Sequence, residues 1–144
     1  MSETDLIKLY SERILALAAD IPHLERLAAP TASATRRSPL CGSTVTVDLL
    51  VRDGRIAEFG QEVRACALGQ ASAAIAGAKM IGRTEAEVLR ARDELATMLA
   101  ANGPVPGAPF EGYEVLTPAR DYRNRHASIL LVLDAAAEAF SQTH

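Results

Sequence analysis

The sequence contains no tryptophan, and aromatic residues make up only 4% of its 144 residues. Hydrophobic residues still reach 49%, so we expect a core that is mostly aliphatic. No apolar run approaches the roughly 20 residues that a membrane-spanning helix needs, and we therefore expect no membrane partner. Basic residues are not in excess either, with 15 Lys and Arg against 18 Asp and Glu. The formal net charge of −3 argues against nucleic acid as the main partner.

Cysteine is also scarce, since Cys41 and Cys66 are the only two in the chain. They could form one disulfide. However, residues 1–5 are acidic and polar, unlike the basic start of a secretory signal peptide. We therefore expect a cytoplasmic protein, whose reducing compartment keeps both thiols free. The length fits one domain with a single core, predicted to span residues 1–144.

Helical spacing of apolar residues predicts several helices along the chain. We expect them over residues 4–19, 67–80 and 126–141. A further helix is predicted to start after Thr84, because Thr84 and Glu87 have the spacing of a capping box.

Strand signals lie between the first two of these helices. Apolar and polar residues alternate over residues 45–51, which is typical of a strand with one buried face. Asp53-Gly54 is typical of a tight hairpin turn, and residues 56–59 are predicted to return as a second strand. Residues 60–65 are the candidate for a third strand, so we predict a three-stranded antiparallel meander.

The remaining stretches favour loops and a helix start. Residues 28–39 are small, polar and basic, and residues 102–109 are rich in proline and glycine, so both are expected to be loops. Thr117-Pro118 is expected to be an N-cap followed by a first-turn proline. Together these patterns predict an α+β fold, in which helices pack on one face of a small antiparallel sheet.

Cys41, Cys66 and His126 each lie where a predicted segment begins or changes direction. Cys41 precedes the first predicted strand, Cys66 separates a strand from a helix, and His126 enters the last helix. Thiolate and neutral imidazole are preferred zinc ligands, and thiolate is the usual iron–sulfur ligand. The spacings are too long for a local zinc-finger pattern. The hypothesis of a shared site therefore depends on the structural contexts of the three residues.

Each of these residues also has a purely structural interpretation. A thiol just before a helix is favoured as thiolate by the free N–H groups, but free cysteine is often a small buried hydrophobe. Cys41 could be an incidental loop cysteine, and His126 could be a helix-entry residue with one hydrogen bond. Ser43 is a poor metal ligand and is expected to make a local hydrogen bond.

Short motifs follow one another in a recognisable order. Tyr10-Ser11-Glu12 lies in the first predicted helix and Pro39-Leu40-Cys41-Gly42 leads into the sheet. Ala65-Cys66-Ala67 comes before the second helix, and His126-Ala127-Ser128-Ile129-Leu130 opens the last one. In this order they resemble the IscU/NifU-type iron–sulfur cluster assembly scaffolds, including the SufU-like branch. The resemblance covers nearly the whole chain.

The chain departs from that family at the positions that matter most. Ser43 stands where the family has an aspartate after Cys-Gly. If His126 matches the family histidine, the third cysteine of the family is replaced by Ala127. If Arg123 and His126 match the Arg-x-x-Cys of the SufU-like branch, His126 itself occupies that position. The Leu-Pro-Pro-Val-Lys segment, by which related scaffolds engage their chaperone, is replaced by residues 121–125.

The resemblance implies a scaffold or sulfur acceptor that works with a cysteine desulfurase and serves apo iron–sulfur acceptor proteins. It implies no enzymatic activity for the chain itself. A transient iron–sulfur cluster, or zinc, would be bound at Cys41, Cys66 and His126, and Cys41 is the predicted persulfide acceptor. The alternatives are a degenerate zinc-binding adaptor or regulator of the desulfurase without scaffold activity, and a structural relative that binds no metal.

Overall fold

The computed structural model describes residues 11–40 and 42–144, and it has the predicted α+β architecture. None of the described helices is both long and apolar enough to cross a membrane. In chain order the elements are α1 (Glu12–Ala19), β1 (Ala32–Arg37), β2 (Thr44–Arg52), β3 (Arg55–Arg64), α2 (Ala67–Gly77), α3 (Glu85–Ala101), a 3₁₀-helical segment (Glu111–Asp121) and α4 (Arg123–Ser141).

The three strands form one antiparallel sheet in the order β1-β2-β3. Ala34 of β1 pairs with Val47 of β2, and Val47 pairs in turn with Gln61 of β3. The β2–β3 hairpin turns at Asp53 and Gly54, whose φ angles of 53° and 75° are both left-handed. This conformation is the one an Asp-Gly hairpin turn requires, so the predicted turn is confirmed.

The first strand lies where the sequence predicts a loop. β1 covers residues 32–37, in the middle of the predicted loop at residues 28–39. The predicted third strand at residues 60–65 is the continuation of β3. Both assignments were therefore wrong, although three antiparallel strands are present. Ala32 and Ala34 are buried and alternate with more exposed residues, but alanine has low strand propensity and gives little strand signal.

The helices follow the predictions with shifted ends. The capping box of α3 is confirmed: the Glu87 amide donates to Thr84 Oγ1 (3.2 Å) and the Thr84 amide donates to Glu87 Oε1 (3.0 Å). The helix predicted over residues 67–80 ends at Gly77. Residues 102–109 lie outside helices and strands, as predicted, whereas the part of the first predicted helix before residue 11 lies outside the described residues.

The predicted helix start at Thr117-Pro118 is wrong. Both residues lie inside the 3₁₀-helical segment, and the Thr117 hydroxyl donates to the Glu114 carbonyl (2.7 Å) instead of capping the start of a helix. The last helix itself begins at Arg123, ahead of the predicted His126.

The core lies between the sheet and the helices. Val45, Val47 and Leu49 of β2 are fully buried, and α4 packs across β1 and β2 with Ile129 and Val132 among its buried residues. On its other sides α4 contacts α2 and α3, while α1 packs on α2. Burial of these aliphatic side chains is the largest favourable contribution to folding. The core contains no tryptophan.

The opposite face of β2 carries a buried charge. Asp48 alternates with the core-facing valines and is 0% exposed. Its carboxylate accepts hydrogen bonds from Arg26 Nε (2.7 Å), from the Leu27 amide (2.9 Å) and from the Ser33 hydroxyl. Burial by itself raises the pKa of the Asp48 carboxyl. The hydrogen bonds from these groups and the charge of Arg26 outweigh burial and hold the pKa below its ordinary value.

Asp48→Asn should lower the free energy of unfolding at neutral pH by about 1–3 kcal/mol, because it weakens a fully buried hydrogen-bond cluster. The pKa of Asp48 is lowered on folding. Its stabilising effect is therefore complete above the ordinary carboxyl pKa of about 3.9 and is lost as the pH falls through the lower folded-state pKa. Urea denaturation at neutral and acidic pH should show a larger acid loss in the wild type than in Asp48→Asn.

The matched control is Glu62→Gln. Glu62 lies 3.8 Å from Arg26 Nη1 but is half exposed, so this change should leave the acid loss close to that of the wild type. An acid loss in Asp48→Asn equal to that of the control would contradict this account of Asp48.

Candidate metal and sulfur site

Cys66 occupies the N-cap position of α2. It follows the end of β3 in an extended conformation, and its carbonyl accepts from the Gln70 amide (2.9 Å) in the first turn. Its side chain is half-buried, forms no disulfide and makes no capping hydrogen bond to the helix. The sulfur therefore lies beside the positive end of the helix dipole, where negative charge on a thiolate or a persulfide is stabilised.

Two buried serines connect this sulfur to α4 and to the start of β2. Cys66 Sγ lies 3.5 Å from the hydroxyl of Ser128, and that hydroxyl donates to Ser43 Oγ at 2.9 Å. Ser128 is 1% exposed and Ser43 is 4% exposed. Ser43 thus makes a side-chain hydrogen bond with a residue far away in sequence, in addition to the local backbone bond that its carbonyl accepts from the Ser38 amide. The arrangement places two hydroxyl groups in a row behind a half-exposed sulfur.

A glycine allows α2 and α4 to approach each other closely at this point. A Cβ atom added to Gly69 would lie 2.7 Å from Ser128 Oγ and 2.8 Å from the Ala65 Cβ. Both distances are far below van der Waals contact, so a larger residue at this position would require Ser128, Ala65 or the helices to shift. The missing side chain of Gly69 is therefore a condition for the contact between Cys66 and Ser128.

The loop between β1 and β2 contains the other cysteine. The Ser38 amide donates to the Ser43 carbonyl (2.8 Å) and the Gly42 amide donates to the Ser38 carbonyl (2.9 Å), which closes the loop on itself. Gly42 has a φ of +70°, the left-handed conformation that glycine adopts without strain. Cys41 lies outside the described residues, so its convergence with Cys66 stays a prediction.

His126 lies in the first part of α4 and is half-buried. Its Nε2 atom is 3.0 Å from the Ala119 carbonyl and 3.1 Å from the Arg120 carbonyl. Carbonyl oxygens only accept hydrogen bonds, so Nε2 carries a proton and Nδ1 is the nitrogen left to bind a metal. His126 and Ser128 are two positions apart on the helix and so face different directions. Ligation by His126 stays a prediction.

The described part of the chain assembles hydroxyl groups around Cys66, and not further charged ligands. Within residues 11–40 and 42–144, no group of three or more histidine, cysteine, aspartate or glutamate side chains is placed to hold a metal ion. Chemically, the described groups provide one half-exposed thiol at a helix N-terminus with hydroxyl groups to hydrogen-bond its sulfur. A metal site would require Cys41 in addition.

Sequence reasoning assigned no role to Ser128, although this residue makes the side-chain contact with Cys66. One signal was available. Ser128 shares the apolar stripe of α4 with Leu131, Val132 and Ala135, and a lone hydroxyl on such a stripe needs a hydrogen-bond partner. Nothing in the sequence indicated that the partner would be Cys66.

Known structures resemble this chain closely. A NifU-like protein (N-terminal) from Brucella abortus, described as nitrogen-fixing, has 45% sequence identity and a TM-score of 0.94, with 96% of each chain covered. A protein assigned as an iron–sulfur cluster assembly scaffold for the SUF system of Fervidobacterium islandicum AW-1 has 20% identity and a TM-score of 0.81. In that case 93% of this chain and 98% of the other are covered. No family model matches the chain, and no curated protein does so either.

The first of these likenesses decides the class of protein. Its 45% identity extends over nearly the full length of both chains, and the three-stranded sheet and helices superpose with it. This chain belongs to the NifU-like family, as the motifs of its sequence predicted. The likeness to the Fervidobacterium protein, at 20% identity, supports the fold alone.

Gly69→Ala should lower the free energy of unfolding by about 1–3 kcal/mol, because the added Cβ overlaps Ser128 Oγ and the Ala65 Cβ. Gly107→Ala is the control, since its Cβ would meet only Glu94 Oε1, at 3.9 Å. Thermal unfolding followed by circular dichroism measures both. If Gly69→Ala were as stable as Gly107→Ala, the close approach of α2 and α4 would not be a constraint on the fold.

Proposed function

We propose that this chain is an iron–sulfur cluster assembly scaffold, or the sulfur acceptor of such an assembly. It would work with a cysteine desulfurase and pass its cluster to apo iron–sulfur proteins. Membership of the NifU-like family supports this function. In this role the chain binds and transfers sulfur and iron and catalyses no reaction of its own.

The observation that carries the proposal is the position of Cys66. The thiol is half-exposed and therefore accessible to a donor protein. It lies at a helix N-terminus, a position that favours negative charge on sulfur. Gly69 leaves room for this helix to pack closely against α4. Cys41 is two residues away from Ser43, whose hydroxyl is linked through Ser128 to the sulfur of Cys66. This connection supports a common site for the two cysteines.

Sulfur transfer to such a site is ordinary thiol exchange. The thiolate of Cys41 attacks the outer sulfur of the desulfurase persulfide, forming a new S–S bond as the old one breaks. The desulfurase cysteine leaves as thiolate, and the scaffold cysteine carries the persulfide, so no external oxidant or reductant is consumed. Cys41 is the proposed acceptor because both of its chain neighbours, Leu40 and Gly42, are exposed, whereas Cys66 is half-buried.

The number of ligands limits what the site can hold. A [2Fe–2S] cluster normally takes four protein ligands, while Cys41, Cys66 and His126 supply three at most. The fourth ligand would come from an exogenous thiol or a second subunit. The same three residues would suit zinc with an open fourth position, so the second candidate function is a zinc-binding adaptor of the desulfurase. It is favoured by the presence of only two cysteines.

Persulfide transfer tests the function directly. After anaerobic incubation with a cysteine desulfurase and cysteine, the tryptic peptide of residues 38–52 should gain the mass of one sulfur atom, because it contains Cys41. Cys41→Ser should remove this gain, whereas Cys66→Ser should leave persulfide on residues 38–52. Persulfide found only on residues 65–79 would reverse the roles of the two cysteines. Its absence from both peptides would argue against a sulfur acceptor.

Metal and acid-labile sulfide analysis separates the two candidate functions. A scaffold purified without oxygen should contain iron and sulfide, and an adaptor should contain zinc alone. Zinc at a hundredfold excess over its Kd should stabilise a zinc-binding wild type by about 2.7 kcal/mol and raise its Tm. Cys66→Ala and His126→Ala should lose that rise, while the control His144→Ala should keep it, since His144 is exposed and pairs with Glu85. A zinc-induced rise in Tm that persists in His126→Ala would remove this residue from the ligand set.

A further inference from the structure

The hydroxyl oxygen of Ser128 lies 3.5 Å from the Cys66 sulfur, and the hydroxyl donates its hydrogen to Ser43. We propose that Ser128 is a positioning residue for Cys66, whose hydroxyl, held by Ser43, hydrogen-bonds the sulfur and fixes its direction. This inference rests on the proposed function, because a fixed sulfur matters only for a cysteine that carries metal or a second sulfur atom. Ser128 would touch neither the metal nor the donor protein.

The geometry provides a chain of three polar atoms. Ser128 Oγ lies between Cys66 Sγ at 3.5 Å and Ser43 Oγ at 2.9 Å. A hydroxyl donates one hydrogen and accepts through its oxygen, and its hydrogen can rotate. With a protonated thiol, Cys66 donates to Ser128 and Ser128 donates to Ser43. When the sulfur carries metal or persulfide it can only accept, so the hydroxyl hydrogen of Ser128 turns from Ser43 Oγ to Cys66 Sγ.

The surroundings keep this hydroxyl in place in both arrangements. Ser128 is 1% exposed, so water does not compete for its hydrogen bonds. Gly69 leaves just enough space for the hydroxyl, since a Cβ there would lie 2.7 Å from its oxygen. Hydrogen bonds to a ligand sulfur orient it and tune the group that it binds. Ser128 and Ser43 together therefore act on a bound group through Cys66.

A second serine between the same helices provides a matched control. Ser72 of α2 is 0% exposed, like Ser128, and its hydroxyl donates to the Ile129 carbonyl of α4 and contacts the Tyr113 hydroxyl at 2.8 Å. All its partners belong to the core, and none is a cysteine. Ser72→Ala thus removes a buried hydroxyl from the α2–α4 interface without touching Cys66.

The metal-free test is the alkylation of Cys66 relative to Cys41 by iodoacetamide. The reaction is run at about pH 9.5, above the ordinary cysteine pKa of about 8.5. A chase with isotopically heavy iodoacetamide in denaturant gives the modified fraction of each tryptic peptide, residues 38–52 and 65–79. Cys41 then serves as the internal reference for Cys66 in every sample.

Ser128→Ala should raise the ratio of the Cys66 rate to the Cys41 rate by about two- to tenfold, the effect of losing one hydrogen bond of ordinary strength. Ser128→Thr, which keeps a hydroxyl, should restore the wild-type ratio, and Ser72→Ala should not change it. Ser43→Ala should lower the ratio, because it removes the acceptor that competes with Cys66 for the single hydroxyl hydrogen of Ser128.

An equal ratio in Ser128→Ala and Ser72→Ala would overturn the proposal. If circular dichroism shows that Ser128→Ala does not fold, Ser43→Ala and Ser128→Thr decide. A wild-type ratio in Ser43→Ala, or an elevated ratio in Ser128→Thr, would then overturn it.

Cobalt(II) alone provides the second measurement. Where Co²⁺ binds the wild type, its sulfur-to-metal charge-transfer band should move to longer wavelength in Ser128→Ala and stay in place in Ser72→Ala, because a hydrogen bond lowers the energy of the sulfur electrons. An unmoved band in Ser128→Ala would count against the positioning role. A wild type without any such band would contradict the proposed metal site, while the alkylation ratio would still decide the role of Ser128.

Discussion

The close approach of α2 and α4 is the constraint on which the candidate site depends. Gly69 has no side chain, and Ala71, Ala135 and Ala136 are among the small buried residues of these helices, so two helix backbones lie nearer to each other than leucine would allow. At this distance a hydroxyl on α4 reaches a sulfur at the start of α2. Larger residues would bury more apolar area, but they would move Cys66 away from α4.

The register of the sheet is the second condition, and a buried carboxylate maintains it. Ser33 and Asp48 are directly paired between β1 and β2, and their side chains are hydrogen-bonded. A strand whose buried residues are Ala32 and Ala34 has little side-chain area to specify its pairing, and a cross-strand hydrogen bond compensates for this. A one-residue slip of β1 would turn Ala32 and Ala34 away from the core. The buried carboxylate thus helps to fix which residues of β1 face the core.

The α+β class, the α3 capping box and the Asp53-Gly54 turn could be predicted because each depends on local chemistry. β1 could not, since alanines carry the alternation and the partner strand supplies the pairing. The two carbonyl partners of His126 lie in a 3₁₀-helical segment that the sequence did not predict, and ligation by His126 stays a prediction. The contact between Cys66 and Ser128 depends on tertiary distance, which no spacing along the chain encodes.

The two serines of the α2–α4 interface separate structural from functional polarity. The Ser72 hydroxyl is hydrogen-bonded to the Tyr113 hydroxyl, and both side chains are enclosed by the core. Burial raises the pKa of Tyr113 and keeps its hydroxyl neutral. Ser128 has the same burial and joins the same helices, yet its hydrogen-bond chain ends at a half-exposed sulfur. If only stability were required, an alanine could occupy the position of Ser128. A hydroxyl chain that ends at the one cysteine of the described residues is a feature that packing alone does not require.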